Sequence, residues 1–262
     1  MNPNPSTKSI IVTGSARGIG RAMAMAVAAD GAQLTIADIN HDAATAVAAE
    51  IEGAGGRAIS VRVDVADRSS VRQMVARSVA EFGKLDVIFN NAGVAQGKPF
   101  LSITEEDWHK IMTVNGLGVL ICMQEAVTQM IKQGHGGKVI NTASIASKQC
   151  YEPMVAYGAS KFAVAALTQG GARAFGKHGI TVNAIGPGVV ETDLWQSVEK
   201  DFRTEGLTHK HNEAMDNIVP QIALGRASVP EDLGGVASFL ASSGSDYMTG
   251  QCLMVDGGFV FL

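Results

Sequence analysis

The feature that most constrains this chain is a rhythm: short β-branched apolar runs alternate with longer alanine-rich stretches. Strand-like runs fall at residues 9–13, 33–37, 58–63, 85–90, 138–141, 181–185 and 252–255, and helix candidates at 19–29, 42–52, 69–82 and 157–175. The strands are apolar on both sides, as a buried parallel sheet requires. Repeated strand-helix-strand units with right-handed crossovers predict an α/β fold, a doubly wound parallel sheet with helices on both faces. Gly31, Gly53 and Gly83 stand where the first three helices should stop. Ser228 and Glu231 are spaced as a capping box for the last helix, which runs into Leu240. Residues 189–226 break the rhythm with a long polar insert holding Gly206, Pro220 and His209-Lys210-His211, and inserts of this kind commonly cover active sites. Nothing marks a linker, so residues 1–262 are expected to form one dinucleotide-binding catalytic domain.

Composition narrows the partners. A net charge of -4 without a basic block removes the attraction to phosphate backbones on which nucleic-acid binding rests. Cys122, Cys150 and Cys252 are odd in number and widely spaced, without a C-x-x-C pair, so free thiols in a reducing cytoplasm are expected. Met1 to Ser9 lacks the regions of a signal peptide, and no uninterrupted apolar stretch approaches the ~18–20 residues of a membrane helix. The six histidines are dispersed and are not joined by clustered cysteines, which argues against zinc-dependent alcohol dehydrogenation and predicts no metal.

The first strand runs into Thr13-Gly14-Ser15-Ala16-Arg17-Gly18-Ile19-Gly20 and then a helix. Gly14 permits a tight turn, Gly18 a close approach of backbone to pyrophosphate, and Gly20 close helix-strand packing. Ser15, Arg17 and Ile19 complete this candidate loop. At the end of the second strand, Asp38 is placed to hydrogen-bond the adenine ribose and to repel a 2′-phosphate, with Ile39 beside it, so the cofactor expected is NAD. Arg17 is the only nearby base that could accommodate NADP. Asp64 and Val65 end the third strand near the expected adenine, and Asn90-Asn91-Ala92-Gly93 would line the cofactor.

Tyr157 and Lys161 are four apart in a helix-like stretch and share a face. A phenol ordinarily ionises near pH ~10. A neighbouring ammonium and an oxidised nicotinamide would lower that value and make Tyr157 a usable acid and base. Ser144 could hold the substrate oxygen, and Asn115 could support a water path to Lys161.

Together Thr13-Gly14-x-x-x-Gly18-x-Gly20, Asn90-Asn91-Ala92-Gly93, Asn115, Ser144, Tyr157-x-x-x-Lys161 and Pro187-Gly188 resemble the short-chain dehydrogenase/reductase family, in order and over nearly the whole chain. The resemblance implies a Rossmann-like domain, a catalytic tetrad of Asn115, Ser144, Tyr157 and Lys161, and a homotetramer. It also implies Lys161 on the nicotinamide ribose and Val190 with Thr192 on the carboxamide. A narrower similarity, to bacterial acetoin/2,3-butanediol dehydrogenases and to sorbitol and galactitol dehydrogenases, lies in Val189-Val190-Glu191-Thr192-Asp193-Leu194-Trp195, Ser245 to Gln251 and Asp256-Gly257-Gly258. It implies a vicinal diol or polyol as substrate, with Trp195 walling the pocket. A 3-oxoacyl carrier-protein reductase shares the tetrad but favours NADPH, against which Asp38 argues. A non-catalytic NAD-binding regulator would not need the tetrad. The apolar tail Phe259-Val260-Phe261-Leu262 is expected to be buried against a neighbouring subunit.

Overall fold

The computed structural model describes residues 7–261. Most of the polar N-terminal segment, and Leu262 of the apolar tail, therefore lie outside the described residues. The chain builds a seven-stranded parallel sheet from β1 (Ser9–Thr13), β2 (Gln33–Asp38), β3 (Arg57–Arg62), β4 (Val87–Asn90), β5 (Gly137–Thr142), β6 (Ile180–Pro187) and β7 (Cys252–Val255), in the order β3-β2-β1-β4-β5-β6-β7. Alternate side chains feed opposite cores, because successive residues of a strand point to opposite faces. Ile10 and Val12 join the layer of α1 (Gly18–Ala29), α2 (His41–Gly53) and the C-terminal helix, while Ile11 joins that of α3 (Arg68–Phe82).

Three sequence expectations shift. The second helix continues through Gly53, and Gly55 takes the left-handed φ of 86°. The fourth strand starts at Val87 rather than 85, since the Gln133 side chain bonds both the N–H (2.9 Å) and the carbonyl (3.0 Å) of Leu85. Asp232, not Glu231, caps the last helical segment: a 3₁₀ turn at Pro230–Leu233 moves the capping position by one residue, and the Asp232 carboxylate accepts from Ser228 Oγ (3.1 Å) and the Val229 N–H (2.9 Å).

The sequence pattern did not predict the long helical run after β4. It consists of α4 (Glu105–Met112), a π turn over Thr113–Gly118 and α5 (Val119–Gln133). By length and composition this run could cross a membrane, although polar residues such as Asn115 and Glu125 interrupt it, and more than half of its apolar window is buried inside the fold. It packs in the core with α3 and α6 (Val155–Phe175). The polar insert carries α7 (Asp193–Thr204) and α8 (Glu213–Ile218), and α9 (Gly234–Ala241) closes the α1 side.

The chain leaves β1 toward β2 and β3, then returns to β4 on the other side of β1, which opens a crevice at the carboxyl ends of β1 and β4. Buried Thr13 pins that crevice. Its hydroxyl donates to the Phe89 carbonyl (3.2 Å) and accepts from the N–H groups of Asn91 (3.0 Å) and Ala92 (3.1 Å). Thr13→Val keeps the shape and strands those buried amides, so it should cost about 2–4 kcal/mol in urea unfolding, whereas Thr13→Ser should cost under about 1 kcal/mol. Equal stability of the valine variant would show that the pin is dispensable.

Candidate active site

The crevice opens into a cavity of about 880 Å³ at the carboxyl edge of the sheet. At one end lies the glycine turn. Gly14 has a φ of 63°, and a Cβ there would lie 2.7 Å from the Ala92 Cα. A Cβ on Gly20 would strike the Gly14 carbonyl and the Asn91 side chain, whose Nδ2 donates to the carbonyls of Thr13 (3.1 Å) and Gly14 (3.0 Å). Arg17, the N-cap of α1, makes no side-chain capping bond, so the first-turn amides of Gly18, Ile19 and Gly20 face the cavity without a side-chain acceptor. Free amides at a helix start, beside a turn that tolerates no side chain, fit a phosphate group.

Ser15 departs from the expected contact set. It is fully buried beneath the loop, donating to the Val12 carbonyl (2.7 Å) and accepting from the Ala37 N–H (3.0 Å), so it shapes the turn from below. Asp38 stands on the cavity wall, its two oxygens accepting from the N–H groups of Ala16 and Asn40, each at 3.0 Å. Ile39 beside it is exposed. The Arg17 guanidinium turns away from Asp38 to pair with Asp193 at the start of α7 (3.0 Å). Asp64, Val65, Asn91, Ala92 and Gly93 continue the same edge.

Farther along, Pro187, Gly188, Val190 and Thr192 line the opposite rim. Thr192 caps α7 by accepting from the Trp195 N–H (3.3 Å). The Trp195 ring walls the cavity and meets Phe202 edge-on at 6.5 Å.

On the floor, Tyr157, Ser144 and Lys161 converge. Lys161 is 5 % exposed, and its Nζ lies 5.5 Å from the centre of the Tyr157 ring and donates to the Thr142 carbonyl (2.7 Å). Ser144 acts to lower the pKa of the Tyr157 phenol, but burial acts more strongly and raises it; Lys161 itself is lowered to about 8 by burial. The expectation that the lysine depresses the phenol is therefore not met by the protein alone. Desolvation dominates both groups, and the ammonium is turned to a backbone carbonyl. Asn115 lies behind this floor rather than on it. Its side chain accepts from the Val94 N–H (2.9 Å) and donates to the Val94 carbonyl (2.8 Å) and Ser160 Oγ (3.0 Å), so it clamps the strand-end loop to α6.

The comparisons with known proteins bear on what this floor does. The family model described as enoyl-(acyl carrier protein) reductase matches residues 14–260. A diacetyl reductase [(S)-acetoin forming] from Staphylococcus epidermidis is 38% identical over 97% of this chain and 99% of its own length. A sorbitol dehydrogenase from Cereibacter sphaeroides is 40% identical over 96% of both. The chain belongs to the short-chain dehydrogenase/reductase family. A solved member from Beutenbergia cavernae, provisionally assigned as an NAD(P)-dependent gluconate 5-dehydrogenase and carrying NADP at low occupancy, superposes with a TM-score of 0.88 at 33% identity over 98% of each chain. This short-chain dehydrogenase is an oxidoreductase that interconverts a secondary alcohol and its ketone by hydride transfer, with a nicotinamide cofactor.

Sequence reasoning missed the far wall of the cavity, formed by Tyr151, Glu152 and Met154 from the loop after Ser144 and by Phe202 and Phe259. Phe202 was within reach, since Trp195, Val198 and Phe202 recur at helical spacing. Phe259 stacks on Tyr151 (5.9 Å, 9°), so part of the apolar tail docks on its own subunit, while Phe261 remains exposed.

The lowered pKa of Lys161 also predicts a trade of stability for function. Below about pH 8 the folded protein buries an ammonium, and between about 8 and the ordinary 10.5 the unfolded state binds more protons, so stability rises with pH. Lys161→Met should inactivate the enzyme yet stabilise it at pH 7 by about 1–2 kcal/mol after allowing for the lost bond to Thr142, with the gain shrinking toward pH 10. Urea unfolding across that range checks it. A destabilised variant with no pH trend would contradict the buried-charge account.

Proposed function

We propose that this short-chain dehydrogenase uses NAD(H) to interconvert a vicinal diol or polyol and its hydroxyketone, with Tyr157 as general acid and base. The observation that carries the reading is the convergence of Ser144, Tyr157 and Lys161 on the cavity floor, with the Lys161 Nζ 5.5 Å from the Tyr157 ring. Ser144 would hold the substrate oxygen while Tyr157 exchanges its proton. Lys161 would fix the nicotinamide ribose and favour the phenolate, and Asn115 would act by positioning. Bound nicotinamide supplies the hydride site, and the positive charge of its oxidised form would offset the burial that raises Tyr157.

The amides of α1, with Gly14, Gly18 and Gly20, would hold the pyrophosphate, and Asp64, Val65, Asn91, Ala92 and Gly93 the adenosine edge. Val190 and Thr192, beside Pro187 and Gly188, would hold the carboxamide, and Trp195 would wall the substrate. NAD is favoured over NADP because Asp38 presents a carboxylate where a 2′-phosphate would sit, while Arg17 is committed to Asp193. The acetoin-forming and sorbitol-oxidising relatives support the substrate class. One catalytic domain over the chain, covered by the insert at about 189–226, and three unpaired cysteines suit a cytoplasmic enzyme.

Steady-state assays with acetoin, 2,3-butanediol and sorbitol test this directly. NAD(H) should give the higher kcat/KM, Asp38→Ala should erode that preference, and Tyr157→Phe should lower turnover by roughly a thousand-fold or more while NADH binding stays within a few-fold. Preference for NADPH, or substantial turnover by the phenylalanine variant, would overturn the corresponding assignment.

The same reading includes a homotetramer, supported by exposed Phe261, Phe239 and Phe162 on the outer surface. Light scattering should return four copies. Deleting residues 259–262 should also raise KM, because Phe259 closes the cavity beside Tyr151. A monomeric intact enzyme refutes the assembly, and an unchanged KM refutes the role of Phe259.

A further inference from the structure

We propose that Glu152 sets the charge class of the substrate: the pocket selects an uncharged, hydroxyl-bearing molecule and rejects the carboxylated analogue of the same skeleton. The inference rests on reading the cavity as the alcohol site of a dehydrogenase. It adds a residue that the chemistry at Tyr157 does not require.

Glu152 lies on the loop between Ser144 and Tyr157 and lines the cavity beside Tyr151 and Met154, on a wall completed by Trp195 and Phe202. That wall is otherwise apolar or aromatic. The carboxylate is held in place: Oε1 accepts the Phe100 N–H (3.2 Å), and next to it the Lys98 N–H donates to the Pro153 carbonyl (2.8 Å). Two backbone contacts thus staple the loop to the segment after β4. Oε2 makes no hydrogen bond to any described residue.

No cation neutralises this carboxylate among the described residues. Lys98, two positions from Phe100, pairs with Asp107 (2.7 Å), Lys161 points to the Thr142 carbonyl and Arg17 pairs with Asp193. Five acids (Asp38, Asp64, Glu152, Glu191 and Asp193) and two bases (Arg17 and Lys161) line the whole cavity. Of the five, Glu152 alone lies on the segment between Ser144 and Tyr157.

An ionised carboxylate only accepts hydrogen bonds. The free Oε2 therefore favours a substrate that brings an O–H donor, which a polyol or hydroxyketone does and a diketone does not. Toward a substrate carboxylate the same group is repulsive. Two like charges several ångströms apart, in a cleft between protein and water in polarity, discriminate by about ten-fold or more.

Glu152→Gln is the informative change, because the amide keeps a carbonyl for the Phe100 N–H and removes only the charge. D-sorbitol and D-gluconate share a skeleton and differ at one end in a hydroxymethyl against a carboxylate. Each is titrated into the enzyme–NADH complex at low salt. The native enzyme should bind sorbitol about ten-fold or more tightly than gluconate, and the glutamine variant should bring the two within about three-fold. Raising salt to about 0.5 M should narrow the native gap and leave the variant unchanged, which a purely structural role would not produce. Equal binding by the native enzyme, an unchanged ratio in the variant, or binding of neither compound overturns the proposal. Turnover of acetoin, 2,3-butanediol and sorbitol is scored separately. Charge discrimination without turnover refutes the substrate assignment alone, and turnover without discrimination refutes only the role of Glu152.

Discussion

Everything functional in this molecule hangs on the junction where β1 and β4 lie side by side and their chains depart in opposite directions. The register Ile10 with Val87 through Val12 with Phe89 brings Thr13 and Asn90 to the same edge of the sheet. There three hydrogen bonds to Thr13 and two from Asn91 join two loops that lie more than seventy residues apart in the chain. Buried amides cost about 1–3 kcal/mol each when left unpaired, so this junction has one well-satisfied arrangement and few alternatives. The glycines follow from it. Gly14 and Gly20 are dictated by how near Ala92 and Asn91 must come, and the amides that fit a phosphate are a by-product of that closeness.

A second constraint is dryness. The floor of the cavity is largely sealed from water, which is why burial decides the titration of both Tyr157 and Lys161 before any partner is considered. A dry floor strengthens each polar contact made there and makes each unmade one expensive. Lys161 is tolerable only because Thr142, at the end of β5, offers a carbonyl. The contact also fixes where the ammonium lies, and a fixed ammonium beside a phenol is useful to proton transfer in a way that a solvated one is not.

The strand rhythm made the sheet legible because an all-parallel sheet, buried on both faces, leaves its signature in every strand. Boundaries were less legible, since they depend on partners far away: Leu85 leaves the ladder on account of Gln133, and Asp232 displaces Glu231 because a 3₁₀ turn intervenes. The run from α4 to α5 escaped because the wider turn over Thr113–Gly118 interrupts the ordinary helical period. That same turn places Asn115 against Val94 and Ser160. Phosphate loop and floor could be read as motifs because close backbone approach and proton transfer admit few residue types. The wall of Tyr151, Glu152 and Phe259 could not, since almost any side chain can stand there and the choice reflects a particular substrate.

The α7 side of the cavity obeys a different economy from the floor. Trp195 Nε1, Glu199 Oε2, Arg203 Nη1 and Thr208 Oγ1 are sealed from water without a hydrogen-bond partner among the described residues, and all four lie on α7 or the turn after it. Glu199 and Arg203 approach to 3.6 Å, close enough for charge attraction but too far for a hydrogen bond. The polar contacts that fasten α7 from outside are weak by comparison. The Arg17–Asp193 pair is largely exposed, and exposed pairs contribute about 0–1 kcal/mol. The Gly97 N–H reaches Asp201 at 3.2 Å. Val198 and Phe202 are nonetheless buried with Ala214, with Ala95, Met154 and Trp195 packed against them, so apolar packing holds α7 where hydrogen bonds do not.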